Sequence, residues 1–209
     1  MVVLGPLILL PAGGVAVALQ RGDNVGKPAG TPPVPAASEG GISVFFSPNG
    51  GAGAAVVAAI NSAKSTLDVQ ADLLSTKDII TPIAKAHARG VKVRVVMDAN
   101  NAGDQYSGAT YLANAGVPVL LDAEHKEAHN KVMLIDGKTI LTGSFNFTRA
   151  ADEQNAENLL VIEGKPKLVA AYKKNFETHL KHAKPYTHAE PSPVGPRRRT
   201  QRMPSTRPE

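Results

Sequence analysis

The chain has 209 residues, enough for one domain of about 150 residues with a full hydrophobic core, plus tails. It contains no cysteine, which excludes disulfides, thiolate metal sites and a cysteine nucleophile; tryptophan is absent and aromatics are few, which argues against broad base-stacking on exposed rings. The net charge is +5, but six basic and two acidic residues from Lys184 onward account for four of those charges, so the basic balance describes a tail more than a body.

In chain order, Met1 to Leu19 carries no charged side chain. It holds an apolar run from Val2 to Leu10 and a small-x-small site at Ala16-Val17-Ala18. Residues 1–19 therefore read as an export signal, placing the protein in the periplasm or outside the cell. An uncleaved membrane anchor is the alternative, opposed by Pro6, Pro11, Gly13 and Gly14. Residues 20–41 are rich in Gly, Pro and Ala, lack periodicity and read as a linker.

A domain over residues 42–183 follows, alternating strand and helix patterns. Ile42 to Phe46 is a short β run, Ala54 to Ala63 an alanine-rich helix, and Leu67 to Ala71 a strand. A helix over Asp78 to Arg89 stops at Gly90, and Val91 to Met97 is the clearest strand. Tyr106 to Ala115 is helical and Val117 to Leu121 extended. Val132 to Ile135, Thr139 to Thr142 and Leu159 to Ile162 are three further strands. Pro166 to His182 is the last helix, with proline in its first turn. Asp136-Gly137 between two apolar runs signals a hairpin. The alternation predicts an α/β fold with a mixed, largely parallel sheet flanked by helices. Residues 184–209, rich in Pro and Arg with little to bury, read as a disordered basic tail.

The chemistry concentrates between His129 and Glu157. A strand starting at Lys131 puts His129 and Lys131 on one side, because side chains alternate. The hairpin then returns the chain to Gly143-Ser144-Phe145-Asn146 beside His129, with Gly143 allowing close backbone approach. Neutral imidazole is a competent nucleophile, and Lys131, Ser144 and Asn146 can stabilise charge on phosphoryl oxygens. Glu157 is placed to orient the imidazole by accepting from its other nitrogen. One group is missing: an acid to protonate the leaving oxygen.

His129-x-Lys131-x-x-x-x-Asp136 followed by Gly143-Ser144-x-Asn146 resembles the HKD motif of the phospholipase D superfamily, most of all its short, single-motif Nuc-type bacterial endonucleases. The resemblance extends to Ser62-Ala63-Lys64, Ala86-x-x-Arg89-Gly90-Val91-x-Val93, Tyr111 to Pro118, Phe145 to Thr148 and Asn155-x-Glu157-Asn158, and so spans about residues 42 to 182. It implies a homodimer with one active site on the two-fold axis. There one His129 forms a phosphohistidine, and the partner subunit's His129 protonates the leaving group. It also implies that Asp136 and Gly143 are structural, and that neither a cofactor nor a metal is required. The chain departs from the group at Ala71-Asp72-Leu73-Leu74, where an aromatic residue often follows the strand.

The expected activity is metal-independent phosphodiester hydrolysis in nucleic acid, DNA with low sequence specificity being favoured. A phospholipase D or phosphatidyl transferase acting on anionic lipid is one alternative, and a non-catalytic nucleic-acid-binding module using the basic tail is another. The remaining histidines read as structural or solvated. His125 and His129 lack the His-Glu-x-x-His order of a zinc helix, His179 and His182 sit at a helix end, and His87 is a surface residue.

Overall fold

A computed structural model describes residues 33–101 and 107–187. The segment read as an export signal, the first part of the stretch read as a linker and the Arg-rich cluster of the tail lie outside the described residues. No helix among the described residues is long and apolar enough to cross a membrane.

The elements run β1 (Ala37–Glu39), β2 (Ile42–Ser47), α1 (Ala52–Ser62), β3 (Thr66–Ala71), α2 (Lys77–Ala88), β4 (Lys92–Asp98), α3 (Gly108–Asn114) and β5 (Val119–Asp122). They continue with β6 (Lys131–Ile135), β7 (Thr139–Gly143), α4 (Arg149–Glu153), β8 (Glu157–Glu163), α5 (Pro166–His182) and β9 (Lys184–Pro185). Every predicted strand and helix of the domain is present within a few residues. Among the described residues the sequence reading missed β1, which lies within the stretch read as linker; the 3-10 turn at Ala99–Asn101; the five-residue α4; and β9, which follows α5 and pairs with β5.

Among the described residues, nine strands form one sheet in the order β1-β2-β8-β7-β6-β3-β4-β5-β9. It is mixed and flanked by helices, as expected, but it is not largely parallel. Only β3–β4 and β4–β5 are parallel pairs, and the other six are antiparallel. The reason is the connections. Full helices carry the chain back into a neighbouring strand only from β3 to β4 and from β4 to β5; α1 and α5 join strands that are not neighbours in the sheet. A tight turn joins β6 to β7 and a short helix joins β7 to β8, and such links reverse the chain. β2 leaves its sequence neighbour β3 and pairs with β8 instead.

Both sheet faces are apolar. On one, Leu67, Val69, Val93, Val95, Met133 and Ile135 pack in the cluster that takes in Ile60 of α1 and Ile79 and Ile83 of α2. On the other, Val96, Val132, Leu134, Ile140 and Ile162 cluster with Val169 and Phe176 of α5. β6 is therefore buried along its whole length, which suits its run of Val-Met-Leu-Ile. α5 is further tied down by Arg94. Its guanidinium grips Asp68 through two bonds of 2.7 Å, reaches Glu177 at 2.8 Å and stacks over Phe176 at 4.9 Å.

The hairpin forms at Asp136-Gly137, where both residues have positive φ (52° and 61°). Asp136 also does more than turn the chain. Its carboxylate accepts from the amides of Lys64 (2.9 Å), Ser65 (2.7 Å) and Thr66 (2.9 Å) and from the Ser65 hydroxyl (2.9 Å). It thereby clamps the β6–β7 turn to the start of β3. Partial burial pulls its pKa upward, but the three amides and the hydroxyl together outweigh that and hold the carboxyl down at about 2. A carboxyl depressed in the folded state stabilises fully above its unfolded pKa of 3.8, and that contribution disappears as pH falls through about 2. Asp136→Asn should lower stability near neutral pH by about 2 kcal/mol, read from the urea midpoint, and flatten the acid limb of the stability curve. A midpoint and acid limb equal to wild type would show that the clamp does not stabilise the fold.

Candidate active site

The site gathers at the C-terminal ends of the parallel strands, where β6 begins. Three loops meet there: residues after β3, residues before β6 and residues after β7. The first two are joined by the Asp72 amide donating to the Asn130 carbonyl (2.9 Å). The first and third are joined by Phe147 N to Leu73 O (3.1 Å) and Ser75 N to Phe147 O (3.0 Å). Backbone hydrogen bonds thus position the site before any side chain contributes.

Gly143-Ser144-Phe145-Asn146-Phe147 alternates across this wall. Phe145 and Phe147 are fully buried and anchor the segment in the core, where loss of either ring costs about 3–5 kcal/mol. Ser144 and Asn146 alternate with them: Ser144 is exposed and Asn146 half-buried. Gly143 is required: a Cβ there would fall onto the Asn158 carbonyl oxygen of β8, far inside contact distance. Ser144 ties the same strand, with its amide donating to Asn158 O and its hydroxyl accepting from Asn158 N, both at 3.1 Å. Asn146 Oδ1 is buried without a hydrogen-bond partner among the described residues.

His129 and Lys131 converge as the alternation predicted. Lys131 is buried, and its Nζ lies 3.0 Å from Asp72 Oδ2 and 3.2 Å from the His129 carbonyl. His129 is exposed, and its Nε2 lies 3.3 Å from that same Asp72 oxygen. Imidazole and ammonium therefore meet on one anionic oxygen, which is the task they would perform for a phosphoryl oxygen. Asp72 is itself buried and accepts from Asn101 Nδ2 at 2.7 Å through its other oxygen. Glu127 approaches His129 Nε2 from the solvent side at 3.5 Å.

Within one chain Glu157 does not reach the His129 imidazole. At the start of β8 it accepts from Asn155 Nδ2 (3.1 Å), and the carboxylates that face the imidazole are those of Asp72 and Glu127. Asp136 lies at the opposite end of β6 from His129, away from this centre.

The chain matches the model of the family described as cardiolipin synthase, PLD-like domain, over residues 56–180. It belongs to the phospholipase D superfamily. Among curated relatives of this superfamily, it is 39% identical over 139 residues to a protein named phospholipase D from Rickettsia prowazekii, covering 66% of this chain and 67% of that one. It is 36% identical over 118 residues to a mitochondrial cardiolipin hydrolase from Chlamydomonas reinhardtii, covering 56% of this chain and 52% of that one. Among solved structures it superposes on Nuc from Salmonella typhimurium, a phospholipase D family member, with a TM-score of 0.68 and 34% identity. That match covers 70% of this chain and 98% of Nuc. NucT from Helicobacter pylori shares the fold, with a TM-score of 0.63 and 24% identity.

Asp72 and Glu127 are the site residues that the HKD pattern does not contain. Asp72 falls at the departure Ala71-Asp72-Leu73-Leu74, so the unusual residue was visible, but not its partners, 57 and 59 positions further along the chain. Its carboxylate holds Lys131 and His129 together and also competes with any incoming anion. Asp72→Asn, similar in shape but neutral, should tighten binding of tungstate, a phosphate mimic, about tenfold by calorimetry, roughly 1.4 kcal/mol. Weaker binding would show instead that the charge matters by holding Lys131 in place.

Proposed function

We propose that this phospholipase D superfamily member is a metal-independent endonuclease, acting as a homodimer on nucleic acid, DNA with low sequence specificity being favoured. The observation that carries this reading is the convergence of His129 Nε2 and Lys131 Nζ on one oxygen position. The near-complete coverage of a Nuc chain by a single-motif domain supports it. Asn146, with a buried and unpartnered Oδ1, marks a site whose polar groups are not all satisfied within one chain.

In the proposed reaction, His129 Nε2 attacks phosphorus, an N–P bond forms and the P–O bond to the leaving group breaks. The leaving oxygen takes its proton from the partner subunit's His129. That imidazole then removes a proton from water, whose oxygen displaces His129 from phosphorus and frees the product phosphate. The buried ammonium of Lys131 and the amide of Asn146 stabilise the charge that builds on the equatorial oxygens. Ser144 keeps the loop at its distance from β8, and Glu157 flanks the site at the head of that strand. On this reading the N-terminal segment is an export signal, and the basic tail adds contacts to substrate phosphates.

A second reading keeps the same chemistry and changes the substituents on phosphorus. Relatives named phospholipase D and cardiolipin hydrolase favour a phospholipid diester. Incubation with plasmid DNA, RNA and cardiolipin-containing vesicles in excess EDTA separates the two. Wild type should cleave nucleic acid, and His129→Ala should be slower by about a thousandfold. Lipid turnover without nuclease activity would move the assignment to the second reading, and equal cleavage by His129→Ala would remove the mechanism altogether.

A further inference from the structure

Chemistry-bearing side chains converge at a second place, at the end of β5. Asp122 closes that strand and is fully buried. His179 Nδ1 lies 2.6 Å and His182 Nε2 3.1 Å from its Oδ2, and His125 Nδ1 lies 3.3 Å from its Oδ1. One ligand atom from each of the four residues lies within 4.8 Å of the other three. His179 is buried, His182 half-buried and His125 exposed. The histidines therefore close the site from the helix side and from the loop side.

Hydrogen bonding alone can account for three imidazoles around a carboxylate, each donating an N–H. The spacing of the rings also fits a shared metal ion. The three centroids stand 4.9, 5.4 and 5.4 Å apart, nearly an equilateral triangle. A zinc ion about 2.1 Å from one nitrogen of each ring, in a tetrahedron, would set the centroids roughly 5 Å apart. Three imidazole nitrogens and one carboxylate oxygen suit zinc and exclude the hard cations that need oxygen ligands. In a chain without cysteine, imidazoles are the nitrogen-rich set available for such a site.

The scaffold is rigid where the ligands attach. Asp122 is fixed in the sheet, and His179 and His182 project from the last turn of α5 three residues apart, on one face. β9 follows directly and pairs with β5 on its outer edge. Three imidazoles and one buried carboxylate make four protein ligands, which describe a closed, structural site rather than a catalytic one with an open position.

We propose that Asp122, His125, His179 and His182 bind one zinc ion that pins the end of α5 and the β5–β6 connection to the sheet. The consequence reaches the phosphate site through the chain. The connection carries His125 near its start and His129 near its end, and Asn100 Nδ2 holds Lys126 O between them at 3.0 Å. Fixing His125 shortens the free length of the segment that presents the nucleophile. The ion takes no part in the phosphoryl chemistry, so the inference stands whichever diester the enzyme cleaves.

The test uses the full-length protein and needs no substrate. Metal content by plasma mass spectrometry should give one zinc per chain. The chain stripped with dipicolinate should lose several degrees of thermal midpoint and regain them with zinc. Cobalt added to the stripped chain should give the strong visible absorption of a four-coordinate ion. His125→Gln changes an exposed loop residue and leaves the fold intact; it and His182→Gln should each weaken zinc binding at least tenfold, whereas His87→Gln should not. Less than a tenth of an equivalent of zinc together with no cobalt spectrum in wild type overturns the proposal. Zinc that survives His125→Gln and His182→Gln but is lost in His129→Ala overturns it too, since the ion would then sit among Asp72, Glu127 and His129. Loss of nuclease activity is not among these readouts, so failure of the functional assignment and failure of the zinc site are separable.

Discussion

The register of β6 against β3 is the constraint on which the rest of this molecule depends. Lys131 falls opposite Ala71, and the pairing runs to Ile135 opposite Leu67. A slip of one residue would turn Lys131 to the other face and exchange Val132 and Leu134 with Met133 and Ile135 between two differently shaped cores. The clamp from Asp136 to the amides of Lys64, Ser65 and Thr66 sits at one end of this pair, and the Asp72–Asn130 backbone bond sits at the other. Between these fixed ends the strand has one seating. The aspartate of the motif thus acts over the length of β6, holding from behind the strand that carries the lysine in front.

Electrostatics at the front end are unusually balanced. A buried lysine is costly unless paired, and Lys131 finds its partner in the equally buried Asp72. Asp72 in turn receives an amide from Asn101, which also donates to Asp98 at 3.1 Å. A substrate phosphate must therefore enter a site whose cation is already engaged. His129 is exposed beside Asp72 and Glu127, whereas Lys131 is buried against Asp72. Under the proposed mechanism that division suits an accessible nucleophile and a fixed ammonium.

Local patterns were legible in the sequence, and long-range pairings were not. The spacing of His129 and Lys131, the Asp136-Gly137 turn and the demand for glycine at 143 each depend on a few neighbouring residues, and each appears in the structure where the pattern placed it. The largely parallel sheet was an error of the same kind of reasoning extended too far: alternation shows that strands and helices follow one another, but not that β2 crosses to β8. Glu157 was expected to orient the imidazole because of its place in the pattern, yet the carboxylates nearest the ring come from Asp72, on a different strand end, and from Glu127, two residues before it. His179 and His182 could be seen as a pair one helical turn apart. What they face, an aspartate 57 and 60 positions earlier, could not.

The three parallel strands end in, or are followed directly by, aspartate: Asp72 after β3, Asp98 closing β4 and Asp122 closing β5, all buried. Buried carboxylates in adjacent strands repel unless each is neutralised or well solvated by donors. Each is answered differently: Asp72 by lysine and imidazole, Asp98 by the Asn100 and Asn101 amides, and Asp122 by three imidazoles. Asn101 links the first two, and Asn100 links Asp98 to the Lys126 carbonyl in the β5–β6 connection, so Asp72 and Asp98 share one polar network. The β5–β6 connection is thus held at its start by Asp122, through the Glu124 amide and His125, and at Lys126 by Asn100, and it ends at His129. On the proposed readings, an ion held by Asp122 and His125 would add one more tie at the start of the segment whose far end carries His129.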